Sequence, residues 1–350
     1  MFSAKQIERM DAIRGFAAVY VAFTHSHAVF HTPLKPLGGF GAEGVALFFL
    51  LSGLVIGGSL FRRRDIDWKL YFVHRFRRIW PPFLIALALA WVVQSLILRA
   101  PAPLRAGELI GNLAMLQDLI RPGAVVQSYH QNWPLWSLAY EWWYYMLLPL
   151  VWLVPSRWQA NLVVGVGCAA AIVYRIVPIG PLAYLGCWYL WWAGLELARE
   201  VRERGTVTWK GQFPNLLRSG LLVLAWAPAV VLAVVNHQGL KPADDPFLPM
   251  RHCGGGFVLL ALGVLWAKSG WKGFDSTIGR FARFAPISYA IYLFHYPLFQ
   301  LADSWFPTLH EAVRFLPVMA VVVGISWVVE RKLQPLVVLA TDRFLVARKA

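Results

Sequence analysis

Residues 9–30 read RMDAIRGFAAVYVAFTHSHAVF, an apolar run that is interrupted by a few polar side chains. A helix needs about 20 mainly apolar residues to cross a bilayer. Arg14 and His25 are 11 positions apart, so on a helix they share nearly one face, about 16 Å apart along the axis. Asp11 precedes Arg14 by three positions and is placed to pair with it. The segment therefore predicts an uncleaved membrane helix that presents an acid, a guanidinium and an imidazole on one stripe.

The composition of the whole chain extends this prediction to the remaining sequence. Of 350 residues, 58% are hydrophobic and only 15% are charged, whereas soluble domains carry about a quarter charged residues. A soluble fold of this size has too little interior to hide so much apolar surface. We therefore expect an all-α fold, a polytopic membrane helix bundle of about ten transmembrane helices. The predicted spans are 11–30, 42–60, 80–98, 136–155, 160–178, 182–199, 217–236, 253–268, 284–303 and 312–331.

The distribution of basic residues predicts the orientation of the bundle. The chain has 33 Lys and Arg against 18 Asp and Glu, and basic residues collect in cytoplasmic loops. Most of them fall on one side, including the strongly basic stretch 61–79, when both termini are placed in the cytoplasm. The net charge of +15 is then explained by topology, and no basic face with stacking aromatics indicates a nucleic-acid partner.

No composition break divides the chain, so residues 1–350 are predicted to form a single membrane domain. The outer stretch 99–131 contains Leu104–Leu119, which is predicted to form a short interfacial helix. Pro81 and Pro82 are expected to mark a helix boundary because proline stops helices. The three cysteines have no metal or redox spacing, and the two histidines of the first segment lack a convincing third ligand, so no metal is expected.

Six sequence elements, in order, resemble the acyltransferase-3 family of integral-membrane O-acyltransferases. Each is weak alone, but six in one order on a ten-span pattern are specific. They are Arg14 to His25 (arginine, ten residues, histidine), FFLLSG at 48–53, RFRRIWP at 75–81, WSLAYE at 136–141, SYAIYLFH at 288–295 and Glu330 to Pro335. The resemblance covers about residues 11–335 and leaves 336–350 as a cytoplasmic tail.

The resemblance implies transfer of an acyl group, often acetyl from acetyl-CoA or from another acyl-CoA, to a hydroxyl of a saccharide or cell-surface glycan. It also implies a multi-pass protein of the bacterial plasma membrane, here of the type without an added SGNH domain. The expected partners are therefore acyl-CoA, a carbohydrate acceptor and the lipid bilayer. Oligomeric state and the identity of the acceptor are left open, and the outer loops 31–41, 99–135 and 237–252 are expected to select the acceptor.

The motif residues receive roles that fit this chemistry. His25 is the candidate general base for the acceptor hydroxyl, with an acyl-histidine intermediate as the alternative. Arg14, Arg75 and Arg78 are candidates for binding the donor phosphates, because arginine forks grip phosphate oxygens; ordinary positive-inside charge is the alternative for the last two. Glu141, on the outer side, is a candidate for orienting His25 or for binding the acceptor. Further candidates for substrate contact are Asp11, Ser52, Trp136 and Tyr140.

Structural roles compete with these functional ones. Arg14 also fits a snorkelling anchor near the cytoplasmic end, His25 a core histidine bonded to another helix, and Glu141 a structural network with Trp136 and Tyr140.

Other motif residues have structural alternatives too. Ser52 and Gly53 also fit a close approach between helices. Tyr289, Tyr292 and His295 are predicted to hold helices together, and His27, about 200° from His25 on the helix, is assigned to packing or the lipid interface. The main alternative for the whole chain is a transporter or flippase for a glycan or glycolipid, since buried Arg, His and Glu also form proton relays. A noncatalytic membrane scaffold is the third interpretation.

Overall fold

The protein is almost entirely helical in the computed structural model, which describes residues 2–30, 39–62, 65–118, 124–236 and 246–347. This confirms the predicted all-α class. Two-residue strands β1 (Gln117–Asp118) and β2 (Val126–Gln127) pair in parallel. The α-helices within the described ranges are α1 Ala4–Phe30, α2 Gly41–Leu60, α3 Trp68–Leu98, α4 Ala106–Leu113, α5 Leu135–Trp152, α6 Ser156–Tyr174, α7 Gly180–Gly186, α8 Trp188–Arg204, α9 Trp209–Asn236, α10 Phe247–Lys268, α11 Ser288–Trp305, α12 Glu311–Val328 and α13 Gln334–Ala347.

Three shorter helical segments complete the backbone. Tyr129–Gln131 and Ile278–Ile287 are 3₁₀-helical, and Val329–Leu333 is a π-helical turn that joins α12 to α13. A short helix is present within Leu104–Leu119, as predicted, in the eight residues of α4, and its location at the membrane interface stays a prediction. The tail predicted at 336–350 is helical as far as Ala347. A break at Cys187 divides the span predicted at 182–199 into α7 and α8.

Among the described residues, five helical segments are long and apolar enough to cross a membrane. They are Gly41–Leu60, Trp68–Leu98, Trp209–Asn236, Phe247–Lys268 and Glu311–Arg343. The total of ten spans and the cytoplasmic position of both termini therefore stay predictions. Helix α1 falls outside this set because Arg14, His25 and His27 lower its mean hydropathy. Helices α5 and α11 also fall outside it, and they carry Glu141 and His295.

The helix boundary predicted at Pro81 and Pro82 is wrong, because both prolines lie inside α3, which begins at Trp68. The helix begins at Trp68, where the Asp67 carboxylate accepts a hydrogen bond of 2.9 Å from the Leu70 amide. Proline at position 81 removes the donor for the Arg77 carbonyl. Gln334 Nε2 replaces it and donates to that carbonyl at 2.5 Å. A side chain from α13 thus satisfies the backbone carbonyl that Pro81 leaves free.

Helices α2 and α8 cross at a pair of glycines, as the Ser52-Gly53 pattern predicted. A Cβ on Gly53 would lie 1.9 Å from the Trp191 carbonyl oxygen, and a Cβ on Gly194 would lie 1.9 Å from the Leu50 carbonyl oxygen. Both obstacles are backbone atoms, so neither can rotate away. The contact therefore requires glycine on both helices.

We expect Gly53→Ala and Gly194→Ala each to destabilise the protein by about 3 kcal/mol, the upper end for overpacking, because the helices must move apart. Thermal unfolding of the detergent-solubilised protein measures this. Gly165→Ala is the matched control, since Gly165 is also helical and a Cβ there meets nothing within 4 Å. Equal unfolding temperatures for all three variants would contradict the assignment.

Candidate active site

A cavity of about 510 Å³ lies among α1, α2, α3, α5, α11 and α13, within the size range of small-molecule sites. Charged and hydroxyl-bearing side chains reach it from each of these helices except α13, which contributes Gln334 and Val338. The charged and polar residues that line it are Arg14, Ser52, His74, Arg75, Arg77, Arg78, Ser137, Glu141, Tyr145, Ser288, Tyr289, Tyr292 and Gln334.

The three predicted donor-site arginines come together in this cavity. Arg75 and Arg78 are three positions apart on α3 and therefore lie on neighbouring turns, while Arg14 reaches the cavity from α1. The Arg14 guanidinium lies 3.3 Å from the Asp11 carboxylate, as the spacing predicted. The cavity thus has cationic groups from two helices that are distant in sequence.

Two of these arginines differ in how their charge is balanced. Arg78 forms an ion pair with Glu330, whose side chain is only 2% exposed, and its guanidinium lies 5.1 Å from the centre of the Tyr289 ring. Within the described ranges, Arg75 forms no ion pair, and its buried Nε has no hydrogen-bond partner. It lies 5.7 Å from the centre of the Tyr145 ring. The Arg75 guanidinium is therefore available to a ligand anion.

Glu141 ends a chain of hydrogen bonds at the cavity wall. Trp191 Nε1 donates to Ser52 Oγ at 3.0 Å, and Ser52 Oγ lies 2.7 Å from Tyr145 Oη. Tyr145 Oη in turn donates to Glu141 Oε1. Because a carboxylate only accepts, the direction of the chain is fixed, and Ser52 donates to Tyr145. The predicted residues Ser52 and Glu141 thus belong to one network.

Glu141 lines the same cavity as the three arginines, whereas the sequence led us to expect it apart from them. Its position on the outer side of the membrane stays a prediction. Helix α5 begins at Leu135, so Glu141 lies nearly two turns inside the helix rather than at its end. Among the described contacts it touches Tyr145 and not His25.

His25 forms its closest polar contact with a residue to which the sequence assigned only packing. Its Nδ1 lies 2.8 Å from Nε2 of His295 on α11. The two rings meet edge to edge and are nearly coplanar, with centroids 5.1 Å apart and planes at 7°, as expected for a hydrogen bond between ring nitrogens. The one feature of the sequence that points to this contact is the histidine that ends the SYAIYLFH element, but spacing within one helix does not predict a partner on another.

The histidine pair lies beside the cavity and not in its wall, since neither ring lines it. Tyr292 connects the two regions. It lines the cavity, its hydroxyl lies 2.6 Å from Ser137 Oγ, and its ring centroid is 6.0 Å from that of His295. Tyr292 therefore contacts both the cavity and the histidine pair.

The other predicted substrate contacts lie elsewhere. Trp136 and Tyr140 pack edge to face with centroids 4.9 Å apart, and Trp136 also contacts His252. Neither lines the cavity, and neither does Asp11, so their contact with substrate stays a prediction. In the described part of the chain, His, Cys, Asp and Glu form no group of three or more that could hold a metal ion. Parts of the predicted acceptor loops, 31–38, 119–123 and 237–245, lie outside the described residues.

Comparison with known proteins gives a consistent set of matches. A family model described as an acyltransferase domain matches residues 7–331. Nodulation protein 10 of Rhizobium leguminosarum bv. viciae is 25% identical over 67% of this chain and 71% of its own length. Peptidoglycan O-acetyltransferase OatA of Listeria monocytogenes is 24% identical over 86% of this chain, which spans only 50% of that protein. Acyltransferase MdmB of Streptomyces mycarofaciens is 26% identical over 63% of this chain and 62% of its own length. No solved structure matches.

We expect Glu330→Gln to lower the free energy of unfolding by about 2 kcal/mol. The substitution removes a buried negative charge and leaves the positive charge of Arg78 without its partner. Chemical denaturation of the purified protein measures this loss. Asp342→Asn is the matched control. It breaks the neighbouring pair between Arg77 and Asp342, of 2.5 Å, whose acid is 54% exposed, and such pairs contribute less than about 1 kcal/mol. Equal losses for the two variants would show that burial does not decide the strength of the Arg78 pair.

Proposed function

The chain belongs to the acyltransferase family, whose model covers residues 7–331, and we propose that it is a membrane-bound O-acyltransferase acting on a saccharide or cell-surface glycan. It is an enzyme that transfers acyl groups. The proposed donor is an acyl-CoA, with acetyl-CoA first, and the proposed location is a bacterial plasma membrane. Two of the relatives named above support the proposal by their own names, one as an acyltransferase and one as an O-acetyltransferase that acts on peptidoglycan.

The observation that carries the proposal is the cavity in which Arg14, Arg75 and Arg78 converge beside the histidine pair. Acyl-CoA bears several phosphate charges at one end and its reactive thioester at the other. A guanidinium donates to phosphate oxygens through a planar fork. Arg75 is the strongest candidate for this contact, because among the described residues it forms no ion pair and its Nε has no hydrogen-bond partner. The arginines thus supply a site for the anionic end of the donor.

His25 is the proposed general base. In this mechanism one imidazole nitrogen takes the proton of the acceptor hydroxyl while the hydroxyl oxygen attacks the thioester carbonyl carbon. The carbon–sulfur bond then breaks, and the leaving thiolate takes the proton from the imidazolium. The products are the acyl ester of the acceptor and free CoA thiol, and His25 returns to its neutral form.

Glu141 is proposed to bind substrate in the cavity rather than to orient His25. One of its oxygens already accepts a hydrogen bond from Tyr145, which holds the carboxylate at the wall. A carboxylate has acceptor capacity for further bonds, so Glu141 is placed to accept one from a hydroxyl or amide group of a bound substrate.

We expect His25→Gln to lower acyl transfer by at least about 100-fold, the lower limit for loss of a general base. Radiolabelled acetyl-CoA is added to membranes that contain equal amounts of each variant, and label in the glycan fraction is counted. His27→Gln is the control, because His27 lies on the same helix and packs edge to face on Phe23. Wild-type rates in His25→Gln would end the assignment of the base. If even the wild type labels no glycan, glycan translocation is measured next, and a positive result there would favour the transporter.

We expect Arg75→Gln to raise the KM for acetyl-CoA about tenfold or more, since a charge-assisted hydrogen bond contributes about 1.5–3 kcal/mol. Steady-state kinetics with acetyl-CoA and with acetyl-pantetheine, which lacks the nucleotide phosphates, separate the causes. The variant should lose affinity for the first donor and not for the second. Arg62→Gln is the control, because Arg62 lies outside this cavity and donates to the Gly58 carbonyl. Equal losses for both donors would contradict a phosphate contact.

A further inference from the structure

The hydrogen bonds around His295 specify which of its nitrogens carries hydrogen. Its Nδ1 lies 2.9 Å from the backbone carbonyl oxygen of Ile291, one turn earlier on α11. A carbonyl oxygen accepts hydrogen bonds and never donates them. The Nδ1 of His295 must therefore carry hydrogen and donate it to Ile291.

The neutral form of His295 then has a lone pair at Nε2. The residue is 0% exposed, and within the described ranges its ring contacts aromatic side chains and His25 but no carboxylate. A charge is costly in such a place unless it is paired, so the neutral form is favoured. Its Nε2 can then only accept a hydrogen bond.

This bond determines the tautomer of His25. Since His295 Nε2 accepts across the 2.8 Å contact, His25 Nδ1 is the donor and carries the hydrogen. A neutral imidazole has one N–H, so Nε2 of His25 is left with its lone pair. A nitrogen in that state is what a general base requires.

We propose that His295 is a positioning residue that fixes His25 in the tautomer with hydrogen on Nδ1. The Nε2 of His25 is then free to take the proton from the hydroxyl of the glycan substrate. The inference rests on the proposed function, in which His25 is the base. It gives His295 a part in the reaction without contact to either substrate. When His25 becomes charged, its Nδ1–H bond to His295 becomes charge-assisted and strengthens, which stabilises the intermediate state.

The division of roles between the two histidines follows from their surroundings. His25 is partly exposed, whereas His295 is fully buried and both of its nitrogens are used, one by Ile291 and one by His25. His295 is therefore not placed to be the base itself. Rings of neighbouring aromatics hold the pair in place, with Tyr296 at 5.5 Å from His25 and Phe299 at 5.8 Å from His295.

The test compares variants that keep or remove the hydrogen-bond acceptor that position 295 offers to His25. His295→Leu removes it, whereas in His295→Gln the side-chain amide reaches the position of Nε2 and its oxygen can accept from His25. Nitrogen-15 NMR of histidine-labelled protein in nanodiscs reports which imidazole nitrogen is protonated, and His25→Gln assigns the His25 signals. His252→Leu is the matched control, because His252 is also buried and bonds a carbonyl one turn earlier, that of Leu248 at 2.7 Å.

We expect the wild type and His295→Gln to show His25 protonated on Nδ1, and His295→Leu to lose this preference. The His252→Leu control should leave the His25 signals in place. In the transfer assay, His295→Leu should lower kcat at least about tenfold with little change in donor KM, and His295→Gln should recover most of the rate. If His295 had only a structural role, His295→Leu would leave the His25 tautomer unchanged, and His295→Gln and His295→Leu would have the same kcat.

Two results would overturn the proposal or its premise, and they can be told apart. If wild-type His25 carries hydrogen on Nε2, or if His295→Leu leaves its tautomer unchanged, the positioning role is wrong. If the tautomer changes as expected while kcat does not, the positioning of the imidazole stands, and it is the proposed base role of His25 that falls.

Discussion

The ion pair between Arg78 and Glu330 joins the third helix to the C-terminal end of the chain, 252 positions away. A charge inside a lipid-embedded bundle needs an opposite charge or a polar partner, so neither side chain can separate from the other without loss of stability. The pair brings α13 against α3, where Gln334 satisfies the carbonyl left free by Pro81. Gln334 and Val338 then complete the cavity wall. The shape of the cavity therefore depends on the ion pair between Arg78, which lines it, and Glu330, which does not.

The need to pair a buried charge also explains why the ion pairing of the cavity arginines matters. Arg14 is paired with Asp11 and Arg78 with Glu330, so their charges are balanced within the protein. Arg75 has aromatic faces beside it and, among the described residues, forms no ion pair with a carboxylate. Arg75 is therefore a strong anion-binding group in a bundle whose neighbouring arginines are already paired. Leaving its charge unpaired costs stability, and a bound phosphate would remove that cost.

Sequence alone predicted those features that depend on spacing within one helix. The pairing of Asp11 with Arg14, the adjacency of Arg75 and Arg78 and the close approach at Gly53 all follow from helical periodicity or residue size. It did not predict the meeting of His25 with His295, because 270 positions separate them and periodicity carries no information between helices. The proline pair at 81–82 was misread for a related reason. Several helices of this bundle tolerate an internal proline, among them α5 at Pro149 and α11 at Pro297, and in α3 the carbonyl freed by Pro81 accepts from Gln334, a residue far along the chain.

The distance between the arginines and the histidine pair is itself an argument about the substrate. Arg14 and His25 lie on one helix about 16 Å apart, and only Arg14 lines the cavity. A small acyl donor such as acetyl phosphate carries its charge next to its carbonyl and cannot contact both groups at once. Acyl-CoA separates its phosphates from its thioester by the long pantetheine arm. The proposed acyl-CoA donor has this shape: with its phosphates at the arginines, its arm would lie beside Tyr292, which contacts both regions, and its thioester would lie near His25, the proposed base.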